Sequence, residues 1–153
     1  MIRGSLKHIG LRTASDGDAI SVFGSNHIWI DHCSLSRCPD GLIDVIMAST
    51  AITIPNRKFN HHNDVMLLGA DDGYGEDKII QATVAFNRFG KGLIQIMPRS
   101  RWDFFHVGNY DYSHYQLYAI GGNANSTIIR QDNRFKALYL LKVKLHKFLI
   151  TDL

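Results

Sequence analysis

At 153 residues the chain is long enough for one domain with a sizeable core, and 45% apolar against 20% charged residues is an ordinary globular balance. A formal net charge of +3, from 17 basic and 14 acidic residues, draws a polyanion only weakly; with no basic run and no nucleic-acid motif, it argues against a nucleic-acid partner. Two cysteines, Cys33 and Cys38, are too few for a disulfide framework, and no apolar run is long enough to cross a bilayer, so a membrane protein is not expected.

Residues 1–15 have no apolar core region, so nothing there reads as a signal peptide. Asp16 and Asp18 follow. Asp40 and Asp44 come after the string Trp29-Ile30-Asp31-His32. Both pairs have even spacing, which on extended backbone points two carboxylates to one side. Four carboxylates brought together repel one another unless a cation sits among them, and oxygen-only ligands suit a hard ion such as calcium. Asp16-Gly17 and Asp40-Gly41 are also turn dipeptides, so on spacing alone turn aspartates remain the competing reading.

From residue 30 onward one form recurs, a short alternating strand closed by a large apolar residue. Ile30 leads to Leu35, Ile54 to Phe59, Val84 to Phe89, Val107 to Tyr112, and Thr127 to Phe135. The closing positions 35, 59, 89, 112 and 135 are 24, 30, 23 and 23 apart. A sandwich or barrel would return every ~8–12 residues. A period in the twenties instead marks a solenoid whose turns bury their faces by stacking. Asn87 and Asn133 sit two residues before their closing aromatics, where stacked asparagines would satisfy each other's amides from turn to turn. Cys33, Arg57 and Tyr110 take the other places, so this ladder is patchy.

Loops are expected at residues 60–63, 71–77 and 100–103. The Asp71-Asp72-Gly73 run reads as a solvated turn and lacks the twelve-residue ligand pattern of an EF-hand. Trp29 and the closing aromatics read as core fillers. His32 reads as a turn-holding side chain. Adjacent His61 and His62 face opposite ways on a strand and make a poor chelating pair. Cys33 and Cys38 lack the surroundings of a nucleophile or zinc site, and their spacing allows either a local bridge or two free thiols. Residues 136–153 leave the pattern; 142–146 alternate like a strand, and an amphipathic helix is the other option. Such an apolar tail could cap the open end of the solenoid.

The strings SDGDAISVFGSNHIWIDHCSLSRCPDGLIDVIMASTAITI, HHNDVMLLG, MPRSR and YAIGGNANSTI resemble the plant pectate lyases and the related pollen allergens. The likeness runs from about Arg3 to Phe135. It implies an all-β, right-handed parallel β-helix, here truncated, with residues 1–135 a partial domain and 136–153 a divergent tail. It also implies eliminative cleavage of polygalacturonate (pectate), calcium as cofactor, monomeric action, and an extracellular or cell-wall setting.

Residue by residue, the resemblance assigns Asp16, Asp18, Asp40 and Asp44 to the calcium site. The family removes the C5 proton with an arginine in the motif Arg-x-Pro-x-x-Arg. Here that run is Ile96-Met97-Pro98-Arg99-Ser100-Arg101. Arg101 matches the second arginine and is expected to clamp a uronate carboxylate, with Arg99 as a further substrate contact. The base position holds Ile96, which can neither accept a proton nor pair with a carboxylate. The implied function is therefore a pectate lyase; the alternative is a binding relative or inactive fragment with an impaired chemical step. Asp64 stands where several relatives of the resembled family place lysine and others an acid; an acid there would repel the substrate unless another cation joins. Trp102-Asp103 replaces a small or glycine-containing pair and alters the cleft wall.

Overall fold

A computed structural model of the chain describes residues 9–10, 13–14, 16–138 and 149–152. Apart from a small antiparallel pair, Ile9–Gly10 with Thr13–Ala14, every pairing among the described residues is parallel. The strands form three stacked sheets around one core, a β-solenoid of about five turns. The first sheet stacks Ile20–Phe23, Ile43–Ile46, Met66–Leu68, Arg99–Arg101 and Gly121–Asn123. The second stacks Asn26–Trp29, Thr50–Pro55, Gln81–Ala85, Phe104–Gly108, Thr127–Gln131 and Leu149–Asp152. The third stacks Ser34–Leu35, Lys58–Phe59, Arg88–Phe89, Asp111–Tyr115 and Arg134–Ala137. A side pair, His62–Asp64 with Leu93–Gln95, lies between the third sheet and the first.

The alternation seen in the sequence decides which side chains face inward. Ile52 and Ile54, Ala82 and Val84, and Phe105 and Val107 are buried in register on neighbouring coils. The closing residues Leu35, Phe59, Phe89 and Tyr112 are fully buried. Their rings form a column, with centroids 5.0 Å apart for Phe59–Phe89, 4.7 Å for Phe89–Tyr112 and 4.8 Å for Tyr112–Phe135. Those distances match the ~4.8 Å rise between paired strands, so the sheet spacing itself sets the stacking. Phe135 ends the column and is 41% exposed. Trp29 departs from the core reading: it is 73% exposed. Its neighbours Ile28 and Ile30 take the inward places, and alternation turns the indole out.

Asn87 and Asn133 do not meet each other as an amide ladder would require, because Tyr110 stands between them; each bonds the backbone of the preceding coil instead. Asn87 Nδ2 donates to Ile54 O at 2.8 Å and its Oδ1 accepts Arg57 N at 2.8 Å. Asn133 repeats this two rungs on, donating to Val107 O at 3.0 Å and accepting Tyr110 N at 3.1 Å.

Two expected loops contain strands: residues 60–63 run into His62–Asp64, and 100–103 begin within Arg99–Arg101. Both gain partners from adjacent coils that single-strand patterning does not display. Residues 71–77 do turn, with Gly73 N on Asp71 Oδ1 at 2.8 Å, and lead into a 3-10 helix at Gly75–Ile79. Of the tail, Leu149–Asp152 lies parallel on Thr127–Gln131 as the last strand of the second sheet. The reading of 142–146 falls outside the described residues. No helix among the described residues is long and apolar enough to cross a membrane.

Candidate active site

The outward face of the first sheet carries the residues of interest. Asp44, between inward Ile43 and Val45, pairs in register with Leu67, which pairs in turn with Arg99. Two strand spacings put Arg99 roughly 10 Å along the stack from Asp44. Arg101 lies on the same face, two residues along from Arg99, with buried Ser100 between them.

The acid end gathers more than the four expected aspartates. Burial, then the charges of Asp18, Asp40, Asp16 and Asp64, push the Asp44 carboxyl up to about 8. Burial, then Asp16 and Asp40, push Asp18 up to about 6, against a small opposing pull from the Gly41 backbone. That pull falls short of a formed hydrogen bond, since both Asp18 oxygens are shielded from solvent and lack a partner. Gly41 explains how they come so close. A Cβ there would stand 2.5 Å from Asp44 Oδ1 and 2.9 Å from Asp18 Oδ1, so only glycine lets these oxygens converge.

The means of convergence differs from one-strand alignment. Asp16 and Asp18 lie on irregular backbone, with Gly17 at φ 109° and Asp18 N directed at Asp16 Oδ1 at 3.4 Å. Asp40 lies in a loop, and only Asp44 is on a strand. Even spacing on one strand therefore does not align them; stacking of successive coils does. His62, expected to do little, steadies this loop: its Nε2 meets Asp40 O at 2.5 Å. Asp64 is tied by Gln95 Nε2 at 3.1 Å and by Asn63 Nδ2 at 2.9 Å. No three acidic, histidine or cysteine side chains among the described residues already form a ready-made metal cage. The orphaned oxygens of Asp18 and the Asp18–Asp44 convergence still fit a hard cation, whose other ligands would come from water or an anionic sugar.

Ile96 precedes the Arg99–Arg101 strand with φ 58°, and its carbonyl accepts Met66 N at 2.7 Å. Positive φ is costly for a β-branched residue. The side chain at 96 thus leaves from a backbone kink three residues before Arg99, on the coil that carries both arginines.

The arginines are held by a loop that the sequence had shown only as a turn. Arg101 Nη1 donates to Gly69 O at 3.1 Å and Ala70 O at 2.9 Å. Its Nε lies 3.0 Å from Asp72 Oδ1, an ion pair without hydrogen-bond alignment. Asp72 also accepts from Asn123 Nδ2, and Arg99 Nε donates to Asn123 Oδ1 at 3.3 Å. Trp102 Nε1 donates to Asp72 O at 2.8 Å, and Lys78 Nζ lies 4.6 Å from the Trp102 ring centre. Asp72, exposed on its turn as the sequence implies, also pairs with Arg101 directly and reaches Arg99 through Asn123. The only sequence signal for it was an acid a coil away from an arginine, which needs the fold to be read.

Behind this face, Asp103 is 2% exposed, and Ser100 Oγ donates to its Oδ1. Burial, assisted by the charge of Asp77, pushes Asp103 up to about 8. Neither cysteine is in a disulfide.

The sequence profile of the family described as pectate lyase matches residues 8–144. The chain belongs to the pectate lyase family. It is 61% identical over 137 residues to "Probable pectate lyase 8" of Arabidopsis thaliana, covering 90% of this chain and 33% of that protein. It is 59% identical over 144 residues to a pectate lyase of Lilium longiflorum, covering 94% and 33%. Among solved structures it matches jun a 1, the major cedar-pollen allergen, at TM-score 0.74 and 46% identity over 80% of this chain and 39% of that one. A pectate lyase studied for substrate specificity and an anti β-elimination mechanism matches at TM-score 0.76 and 25% identity, over 89% and 39%. The chain therefore spans about a third of the length of the curated pectate lyases it matches.

Proposed function

We propose that this face is a calcium-dependent site for polygalacturonate, built for eliminative cleavage, in which isoleucine at 96 weakens the proton-transfer step. The observation that carries the reading is the pair of orphaned Asp18 oxygens converging with Asp44 on Gly41. Asp18 and Asp44, with Asp16 and Asp40 beside them, would hold the ion. When bound, calcium supplies the positive charge that admits a uronate carboxylate to an acid-lined cleft and withdraws electron density from it, acidifying C5.

The chain's own residues do the rest. Arg101, anchored through Nη1 and Nε, offers its Nη2 edge to a uronate carboxylate, and Arg99 extends the cationic row. Elimination then removes the C5 proton and breaks the C4–O bond, leaving an unsaturated uronate on the product. Ile96 cannot take that proton. Neither arginine replaces the missing base, because both leave the chain further along the strand and are already bonded to Asn123 or Asp72. Loss of a general base costs about 10²–10⁴-fold in rate. The second reading, calcium-dependent binding of the polymer with little turnover, rests on Ile96. A polygalacturonate substrate places the work outside the cell, in the wall.

The test mixes purified chain with polygalacturonate and calcium and follows ultraviolet absorbance of the unsaturated product, with polymer binding measured in parallel. Slow product growth and binding that both vanish with chelator support the proposal. Absence of calcium-dependent polymer binding by folded chain refutes it.

A further inference from the structure

Asp72 reaches both arginines of the substrate row from a different coil. Its Oδ1 stands 3.0 Å from Arg101 Nε and also accepts from Asn123 Nδ2. The Oδ1 of Asn123 in turn accepts Arg99 Nε at 3.3 Å. Trp102 Nε1 donates to the Asp72 carbonyl at 2.8 Å. One acid is thus tied to two residues of the coil that carries the arginines and to one residue of the coil after it.

The loop that carries Asp72 is pinned at its base. Asp77 is fully buried; its Oδ1 accepts Ala48 N at 2.7 Å and its Oδ2 accepts Ala70 N at 2.6 Å. Gly69 lets the base press on Arg101: its φ is 90°, and a Cβ there would fall 2.6 Å from Arg101 O and 2.9 Å from Arg101 Cβ. Nη1 of Arg101 is spent on Gly69 O and Ala70 O, and Nε faces Asp72, which leaves the Nη2 edge for a carboxylate. A long side chain fixed beforehand gives up less rotamer freedom when it grips a ligand. The Arg101 side chain is 16% exposed and that of Asp72 61%, so the acid reaches the arginine from the solvent side and its removal opens no core cavity.

We propose that Asp72 is a positioning residue for substrate binding: it holds Arg101, and through Asn123 also Arg99, as one preset cationic unit for uronate carboxylates. This rests on the reading of the two arginines as carboxylate contacts. An acid that merely stood near an anionic polymer would repel it, and that effect has the opposite sign. Removing the Asp72 charge would then tighten binding, whereas removing a brace loosens it.

The test measures polygalacturonate binding by the full chain at saturating calcium, with urea melts confirming that each variant folds. Asp72→Ala should weaken binding about fivefold, and Asp72→Glu, which keeps the carboxylate, should recover part of that loss. In an Arg101→Ala background the same change at 72 should cost about twofold or less, since the residue it acts through is gone and the link to Arg99 alone remains. Unchanged or tighter binding by Asp72→Ala, or an equal loss in both backgrounds, overturns the inference and leaves the polymer site standing. A folded parent chain that binds no polymer removes the site and the brace together. Should Asp72→Ala not fold, Asp72→Asn passes through the same cycle under the same criteria.

Discussion

Replacing Asp103 by asparagine isolates the cost of a carboxyl placed behind the cleft wall. Its pKa rises from 3.8 to about 8 through burial first and the Asp77 charge last, against lowering bonds from Ser100 and its own backbone. The folded chain therefore keeps a proton that the unfolded chain releases above about pH 4. Folding stability conferred by the protonated form is full below that point and falls as pH rises, by about 1.4 kcal/mol per unit, until about pH 8. Four units set an upper bound of roughly 6 kcal/mol, which relaxation and water entry would reduce to a few. Asparagine has a similar shape and no proton to lose. Near pH 4 the variant should match the parent within about 1 kcal/mol; by pH 8 it should be more stable by about 2–5 kcal/mol. Urea melts of both proteins from pH 4 to 9, compared as differences, cancel the contributions of Asp18 and Asp44. Parallel stability curves across that range would refute the assignment of a buried, proton-holding Asp103.

Arg57→Asn should raise stability in urea melts by about 1–3 kcal/mol, because asparagine can accept the Cys33 amide and donate toward the Ile30 carbonyl where the guanidinium leaves buried donors unpaired. Ile96→Arg should raise calcium-dependent product formation by about 10²–10⁴-fold, and an unbranched side chain also suits the φ of 58° better; no change in a folded, calcium-binding variant would move the base elsewhere. Asp44 and Asp18 hold protons above the usual carboxylate range, so calcium must displace them: calorimetry should show proton release on binding and affinity that grows from pH 6 to pH 8. Chelator should lower the melting temperature of the parent chain but not of Asp44→Asn, and an equal shift in both would remove Asp44 from the ion site.

The architecture was legible in the sequence because a solenoid repeats one local instruction. Alternating β-branched and aromatic residues, closed by a large ring every two dozen or so positions, dictate both the strands and the column of rings that holds the coils together. Pairwise facing on a single strand was legible as well: Arg99 and Arg101 share a side, as period two requires. Trp29 was misread for an instructive reason, since an aromatic residue signals burial only when its parity matches the inward rows.

What the tertiary structure alone decided is what lies between coils. Asp16, Asp18, Asp40, Asp44 and Asp64 come from three coils and meet only because parallel register stacks them, with Gly41 leaving the gap. Asp72 finds Arg101 and Asn123 across sequence gaps of 29 and 51 residues. Asp103 follows an exposed-looking Trp102 yet is sealed inside. One-dimensional patterning reports which way a side chain points from its own strand. The charges it meets, and the water it loses, depend on the coils above and below, and those set the chemistry of the site.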